Sequence, residues 1–109
     1  MQKQLRLTRR RDIKRVVVEG EKAESPWATV YYLAERDTRA AFSARKSLGN
    51  SPARNRARRR LREFFRLHAQ RLPVGWYLFV AKARVLDADF SELCQGLFQL
   101  ACRSFSSSL

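Results

Sequence analysis

The sequence predicts an α+β fold: a small α-β sandwich in which one mainly antiparallel sheet of three to four strands carries about three helices, in the order α-β-β-(β)-α-β-α. Three observations predict it. Apolar residues recur at helical spacing in three separated segments. Between them lie short runs rich in Val, Thr, Tyr, Phe and Trp, the composition of strands. The 109 residues contain no repeat and no linker, so 1–109 is expected to form one domain, with 106–109 a frayed tail.

The first helix is expected from Leu5 to Gly20. Thr8 is its candidate cap, Ile13, Val16 and Val17 recur at i, i+3 and i+4, and Gly20 is its stop. Arg9, Arg10 and Arg11 stand at its N-terminus, where the helix dipole disfavours positive charge, so they are suited to something outside the helix. Glu21 to Pro26 is polar and contains proline, and is expected to be a loop. Ala28 to Ala34 and Ala40 to Ala44 read as strands around the charged turn Glu35 to Arg39, and together suggest an antiparallel hairpin, with Ala40, Phe42 and Ala44 on one face. Lys46 to Asn50 is a loop. A second helix follows, with Ser51 as expected N-cap and Pro52 at its first position, running to about Gln70 ahead of Pro73 and Gly75. Trp76 to Ala81 is a continuous apolar run, expected as a strand buried on both faces. Asp89 and Glu92 have capping-box spacing and open a third helix with its stripe at Phe90, Leu93, Cys94, Leu97, Phe98, Ala101 and Phe105.

Charge narrows the function classes. Lys and Arg number 23 against 10 Asp and Glu, a formal net charge of +13. Such a surface attracts polyanions, and binding that releases counterions weakens steeply with salt. No apolar run approaches the roughly 20 residues a spanning helix needs. Neither a membrane role nor a secretory leader is expected. Cys94 and Cys102 fall about 12 Å apart on one helix, too far for a disulfide. They read as reduced core thiols of a cytoplasmic protein. With one histidine and no Cys-x-x-Cys, no protein metal site is expected.

The most informative segment is Arg54-Asn55-Arg56-Ala57-Arg58-Arg59-Arg60-Leu61-Arg62, six of whose nine residues are arginine. On a helical wheel, Ala53, Ala57, Leu61, Phe64 and Phe65 fall within about 120° and form a core-facing stripe. Arg54, Arg58 and Arg62 border it on one side, Arg56 and Arg60 on the other, and Asn55, Arg59 and Arg66 lie opposite. A solvated face usually alternates charge sign at i, i+4 spacing. Here Glu63 is the only acid between Arg54 and Arg66, so the segment is locally unfavourable without a polyanion. Guanidinium groups on a rigid helix meet phosphates in paired hydrogen bonds and stack on bases. Such a helix fits the DNA major groove. An RNA partner would instead be recognised through its backbone shape or its single-stranded parts.

Lys46, the loop Leu48-Gly49-Asn50, and Arg54-Asn55-Arg56 followed by Arg59-Arg60-Leu61-Arg62-Glu63 resemble the signature of the bacterial ribonuclease P protein component. The likeness extends to Leu7, Asp12 and Gly20 in the first helix, to Tyr31 or Tyr32 in the first strand and to Ala81-Lys82 after the apolar strand. It spans roughly Leu5 to Phe105. The resemblance implies an α-β sandwich with the motif helix in a left-handed crossover. It implies the protein subunit of a ribonucleoprotein that removes the 5′ leader of precursor tRNA, with catalysis by the RNA subunit and no catalytic residue in the protein. Lys46, Arg54, Asn55, Arg56, Arg58, Arg59, Arg60 and Arg62 would then contact the catalytic RNA. A cleft between the first helix and the sheet, lined by Ile13, Val17 and a strand tyrosine, would hold the single-stranded leader. Many members have Phe where this chain has Ile13 and Val17. Aromatic rings stack on unpaired bases at about 1–3 kcal/mol each, so leader affinity is expected to rest more on Tyr31, Tyr32 and Phe42 and on nearby charge. The usual Ala-Val before the motif is Ser51-Pro52 here, a pair that still begins a helix well. Magnesium would enter the holoenzyme mainly through RNA phosphates. The expected partners are the catalytic RNA and precursor tRNA, with no obligate protein partner.

The residues themselves point to a binding module. A protein nuclease needs a general base with an acid, or clustered carboxylates for metals. His68 lies inside the apolar stripe and reads as a partly buried packing residue, while Asp87 and Asp89 are accounted for as capping residues. Two alternatives stay open from the residues alone. A general structured-RNA-binding protein, such as a ribosomal protein, would bind unrelated RNAs equally well. A DNA-binding basic helix would prefer duplex DNA at matched salt.

Overall fold

A computed structural model describes residues 6–105. Three α-helices, α1 (Arg10–Glu19), α2 (Ser51–His68) and α3 (Phe90–Ser104), accompany four strands, β1 (Glu21–Glu24), β2 (Ala28–Leu33), β3 (Arg39–Ala44) and β4 (Trp76–Ala81). The strand order is β1-β2-β4-β3. The β1–β2 and β2–β4 pairs are antiparallel, with Ala28 opposite Ala81 and Leu33 opposite Trp76, and β3 runs parallel to β4. The sheet is therefore mainly antiparallel, as its sequence suggests.

The expected hairpin of the second and third strands is corrected. β4 inserts between them, and its uninterrupted apolar run suits that central place: Tyr77 and Phe79 face one helical layer and Leu78 the other. The parallel β3–β4 pair then needs a crossover, and α2 supplies it. The expected loop at Glu21 to Pro26 also contains a strand. β1 is polar because it is an edge strand held by its backbone pairing to β2.

α1 starts later than expected. Arg6 bridges Ala40, and the Leu7 N–H donates to the Ala40 carbonyl at 2.9 Å. Leu7 is thereby buried in extended chain, and the helix cannot begin until Arg9, which takes the N-cap position without a side-chain hydrogen bond; Thr8 stands outside. The expected start at Leu5 and the expected frayed tail lie outside the described residues. Gly20 does end α1, through close approach. A Cβ there would lie 2.4 Å from the carbonyl oxygens of both Val16 and Tyr32, so only glycine lets the helix meet β2.

The core lies mainly between the sheet and the α2–α3 layer. Tyr77, Phe64, Phe65, Phe79, Phe105, Leu61, Leu93 and Leu97 are each less than 2% exposed, and each large apolar side chain stabilises by about 1.5–3 kcal/mol on burial. Leu7, Val16 and Leu78 form a second, smaller cluster under α1 on the opposite face. Asp89 caps α3 by accepting from the Glu92 N–H at 3.2 Å. Asp87, expected to cap too, instead lines a surface depression with Trp27, Arg84 and Glu92. Cys94 is buried and Cys102 exposed, which corrects the pairing of the two as core thiols. Eight helical residues turn the second thiol away from the buried stripe.

Candidate nucleic-acid interface

Two surfaces hold the residues singled out by sequence, one on each side of the sheet. The first is α2. Asn50, not Ser51, caps it, its side chain accepting from the Ala53 N–H at 3.0 Å. The positive φ of 154° at Gly49 turns the chain into this cap, a conformation that favours glycine. Ala57, Leu61, Phe64 and Phe65 are all fully buried, as the wheel requires.

The arginines surround that anchor. The Arg54 guanidinium donates to the Gly49 carbonyl at 2.9 Å and to the Ser51 hydroxyl at 3.1 Å. Arg58 donates to the Asn55 side chain. Arg56 and Arg59 are exposed and form no hydrogen bond or ion pair among the described residues. Arg62 lies 5.7 Å over the Phe42 ring. Arg66 alone on this helix pairs with an acid, Glu63, whose carboxyl that contact holds below its ordinary range. From Arg54 to Arg62, no guanidinium is neutralised by a carboxylate among the described residues. Arg60 differs from its neighbours. It donates to the Ala88 carbonyl, its Nε is buried, and it lies 5.8 Å from the Phe90 ring, so part of its side chain ties α2 to the start of α3. Lys46 stands exposed in the 3-10 turn Lys46–Leu48, beside exposed Arg45 and just ahead of α2.

The second surface lies between α1 and the opposite face of the sheet. Ile13 is half-buried there against the cluster that contains Tyr31, Leu78 and Val80, while Val17 is 41% exposed and outside it. Lys22 lies 5.9 Å over the Tyr31 ring. At its far end, α1 is held by Arg15, which sits 5.6 Å over Trp76 and pairs with Glu35 at 3.1 Å and Glu19 at 3.5 Å. Trp76 in turn donates to Asp37 at 3.0 Å. Along the sheet away from Arg15, Thr29 and Val80 continue the Tyr31 face and open into a depression of about 270 Å³, flanked by Arg45, Ser47 and Lys82.

Tyr32 and Phe42 do not belong to this cleft. The two-residue period of strands turns Tyr32 away from Tyr31. Tyr32 is 2% exposed, stacked 4.9 Å from Phe105, with its hydroxyl donating to the Val74 carbonyl at 2.5 Å. Phe42 stacks on Phe79 at 5.5 Å, on the α2 side. His68 sits between Phe64 and Phe98 at 5.2 and 5.8 Å, a packing position as expected, and burial with nearby Arg71 lowers its pKa. No group of three or more His, Cys, Asp and Glu side chains suited to a metal comes together among the described residues. Nor is any described helix long and apolar enough to cross a membrane.

Sequence reasoning missed Arg45, Lys22, Thr29 and Lys82. Thr29 was accessible through strand alternation from Tyr31. Lys82 enters the cleft only through the β2–β4 register, which no local pattern reveals.

The family model for Ribonuclease P matches residues 1–104. The chain is 38% identical over 104 residues to the ribonuclease P protein component of Symbiobacterium thermophilum, covering 92% of this chain and 90% of that one. It is 35% identical over 94 residues to that of Nitratiruptor sp., covering 86% of each. In fold it is similar to the RNase P protein of Staphylococcus aureus, with a TM-score of 0.80 at 20% identity over 95% of this chain and 98% of that one. It is also similar to that of Thermotoga maritima, with a TM-score of 0.79 at 23% identity over 90% and 96%.

Proposed function

Because this chain belongs to the ribonuclease P protein family, we propose that it is the non-catalytic protein subunit of a ribonuclease P ribonucleoprotein, binding the catalytic RNA through α2 and the 5′ leader of precursor tRNA through the α1–sheet cleft. The observation that carries this reading is the α2 surface, a helix anchored by four fully buried side chains whose arginines from Arg54 to Arg62 meet no internal carboxylate among the described residues. Structured RNA supplies the missing anions. Arg54, Arg56, Arg58, Arg59 and Arg62, with Asn55 and Lys46, face its phosphates, and the part of Arg60 left outside joins them. Guanidinium groups held on one rigid element lose little freedom on binding, and each phosphate met releases counterions.

The cleft has a different chemistry. Ile13 and exposed Val17 supply apolar contact and Tyr31 a ring, while Arg45 and Lys82 stand at the open end, where a single strand's phosphates would pass. Base stacking therefore falls mainly to Tyr31. Magnesium in this reading is held mainly by RNA phosphates and keeps most of its waters.

The test is reconstitution with the cognate catalytic RNA at low magnesium, comparing leader-bearing precursor with mature tRNA. The protein is expected to raise cleavage and to favour the precursor. No effect on rate or on substrate affinity overturns the reading. Equal affinity for unrelated structured RNAs, with no sensitivity to a leader, assigns the chain to general RNA binding instead.

A further inference from the structure

Of the ten acidic residues in this strongly basic chain, one stands among the cations at the open end of the cleft. Glu24 closes β1, and its carboxylate accepts from Lys82 Nζ at 2.9 Å and from the Thr29 hydroxyl at 2.7 Å, with Lys22 Nζ at 3.4 Å. Lys82 Nζ also donates to the Ser25 carbonyl at 2.8 Å. Two of the three ammonium protons are thus engaged by the β1–β2 turn, and the side chain is folded back toward that turn. The hydrogen bond from Lys82, followed by that from Thr29, holds the Glu24 carboxyl at a pKa of about 2, so it is ionised wherever RNA binding is measured.

We propose that Glu24 is an internal stand-in for phosphate: its carboxylate occupies Lys82 in the free protein and must yield to an RNA phosphate, which makes Glu24 a brake on polyanion affinity at this end of the cleft. The inference rests on the cleft being the leader site. The chemistry is that of two anionic oxygen acceptors competing for one ammonium. A tethered carboxylate is always present at high local concentration, so only a strand held by other contacts displaces it. A brake of this kind favours an RNA already gripped by Tyr31 and Arg45 over polyanions that merely drift past.

Holoenzyme reconstituted with Glu24→Gln tests it. The substitution preserves size and an acceptor for Thr29 while removing the charge. Precursor tRNA with a single-stranded leader is expected to bind about two- to fivefold tighter, the scale of one exposed ion pair. The salt slope should steepen by about 0.7, and binding of mature tRNA should not change. Glu24→Asp, which draws the charge back by one methylene, should tighten binding less. In a Lys82→Ala background the Glu24→Gln gain should vanish, since the two side chains act on one another. A thermal melt of each variant checks that the fold is retained. Unchanged or weaker precursor binding with an unchanged slope, or a gain that persists without Lys82, overturns the proposal and leaves Glu24 a brace for the β1–β2 turn. The reading beneath it fails differently, with Lys82→Ala alone leaving the precursor-to-mature affinity ratio unchanged. If Lys82→Ala weakens precursor binding while Glu24→Gln fails to tighten it, only the brake is lost.

Discussion

The two faces of the sheet carry the same kind of charge, but only one of them sets acids against part of it. On α2, the arginines from Arg54 to Arg62 have no carboxylate partner among the described residues, and all but Arg60 face outward. Around the α1 face four cations lean on an acid, Arg15 on Glu19 and Glu35, Arg39 on Asp37, and Lys22 and Lys82 on Glu24, while Arg9, Arg10, Arg11, Lys14 and Arg45 form no ion pair among the described residues. Uncompensated charge pulls a polyanion from a distance and makes binding steeply salt-dependent. Compensated charge is fixed in place and contributes little net attraction, so selection there falls to shape and apolar contact. The uncompensated face has a cost. Like charges at i, i+4 destabilise a helix by about 0.2–0.5 kcal/mol per pair, but Leu61, Phe64 and Phe65 each contribute about 1.5–3 kcal/mol by burial. Burial wins, and α2 stays folded while presenting its arginines.

The strongest way to break this contrast is to remove the anchor. Phe64→Ala should destabilise the domain by about 3–5 kcal/mol, read by denaturant unfolding, and should weaken catalytic-RNA binding although no arginine has changed. On the other face, Val17→Phe adds a ring at an exposed position beside Ile13. It should strengthen leader binding by about 1–3 kcal/mol, measured as the precursor-to-mature affinity ratio, and leave the salt slope alone. Arg58→Ala and Arg59→Ala should each lower the slope for catalytic RNA by about 0.7–0.9 per lost phosphate contact. Arg15→Gln, which removes a charge already paired, should leave that slope unchanged; an equal drop would erase the distinction between the faces. The smallest effect concerns His68, which binds a proton less readily folded than unfolded because burial and Arg71 disfavour its charged form. The unfolded chain therefore takes up the proton first. Stability should fall as pH drops below the ordinary histidine value of 6.5 and level off below the folded-state pKa. A pH series of thermal melts on the protein and on His68→Phe checks this, the variant losing the dependence.

The sequence by itself determined the three helices, three of the four strands, the buried stripe of α2 and, Arg60 apart, the outward set of its arginines. Those features follow from local periodicity, which a helix or a strand converts directly into faces. Only the tertiary structure decided that β4 separates β2 from β3, since strand partners depend on which segment can bury both faces, and no local pattern encodes pairing. The same register sent Tyr32 and Phe42 to the core while leaving Tyr31 in the cleft, and it brought Lys82 against Glu24 across 58 positions of chain. It also made a strand of polar Glu21–Glu24, whose hydrogen bonds come from β2. Composition announces a buried strand, but an edge strand exists because a neighbour offers it a ladder.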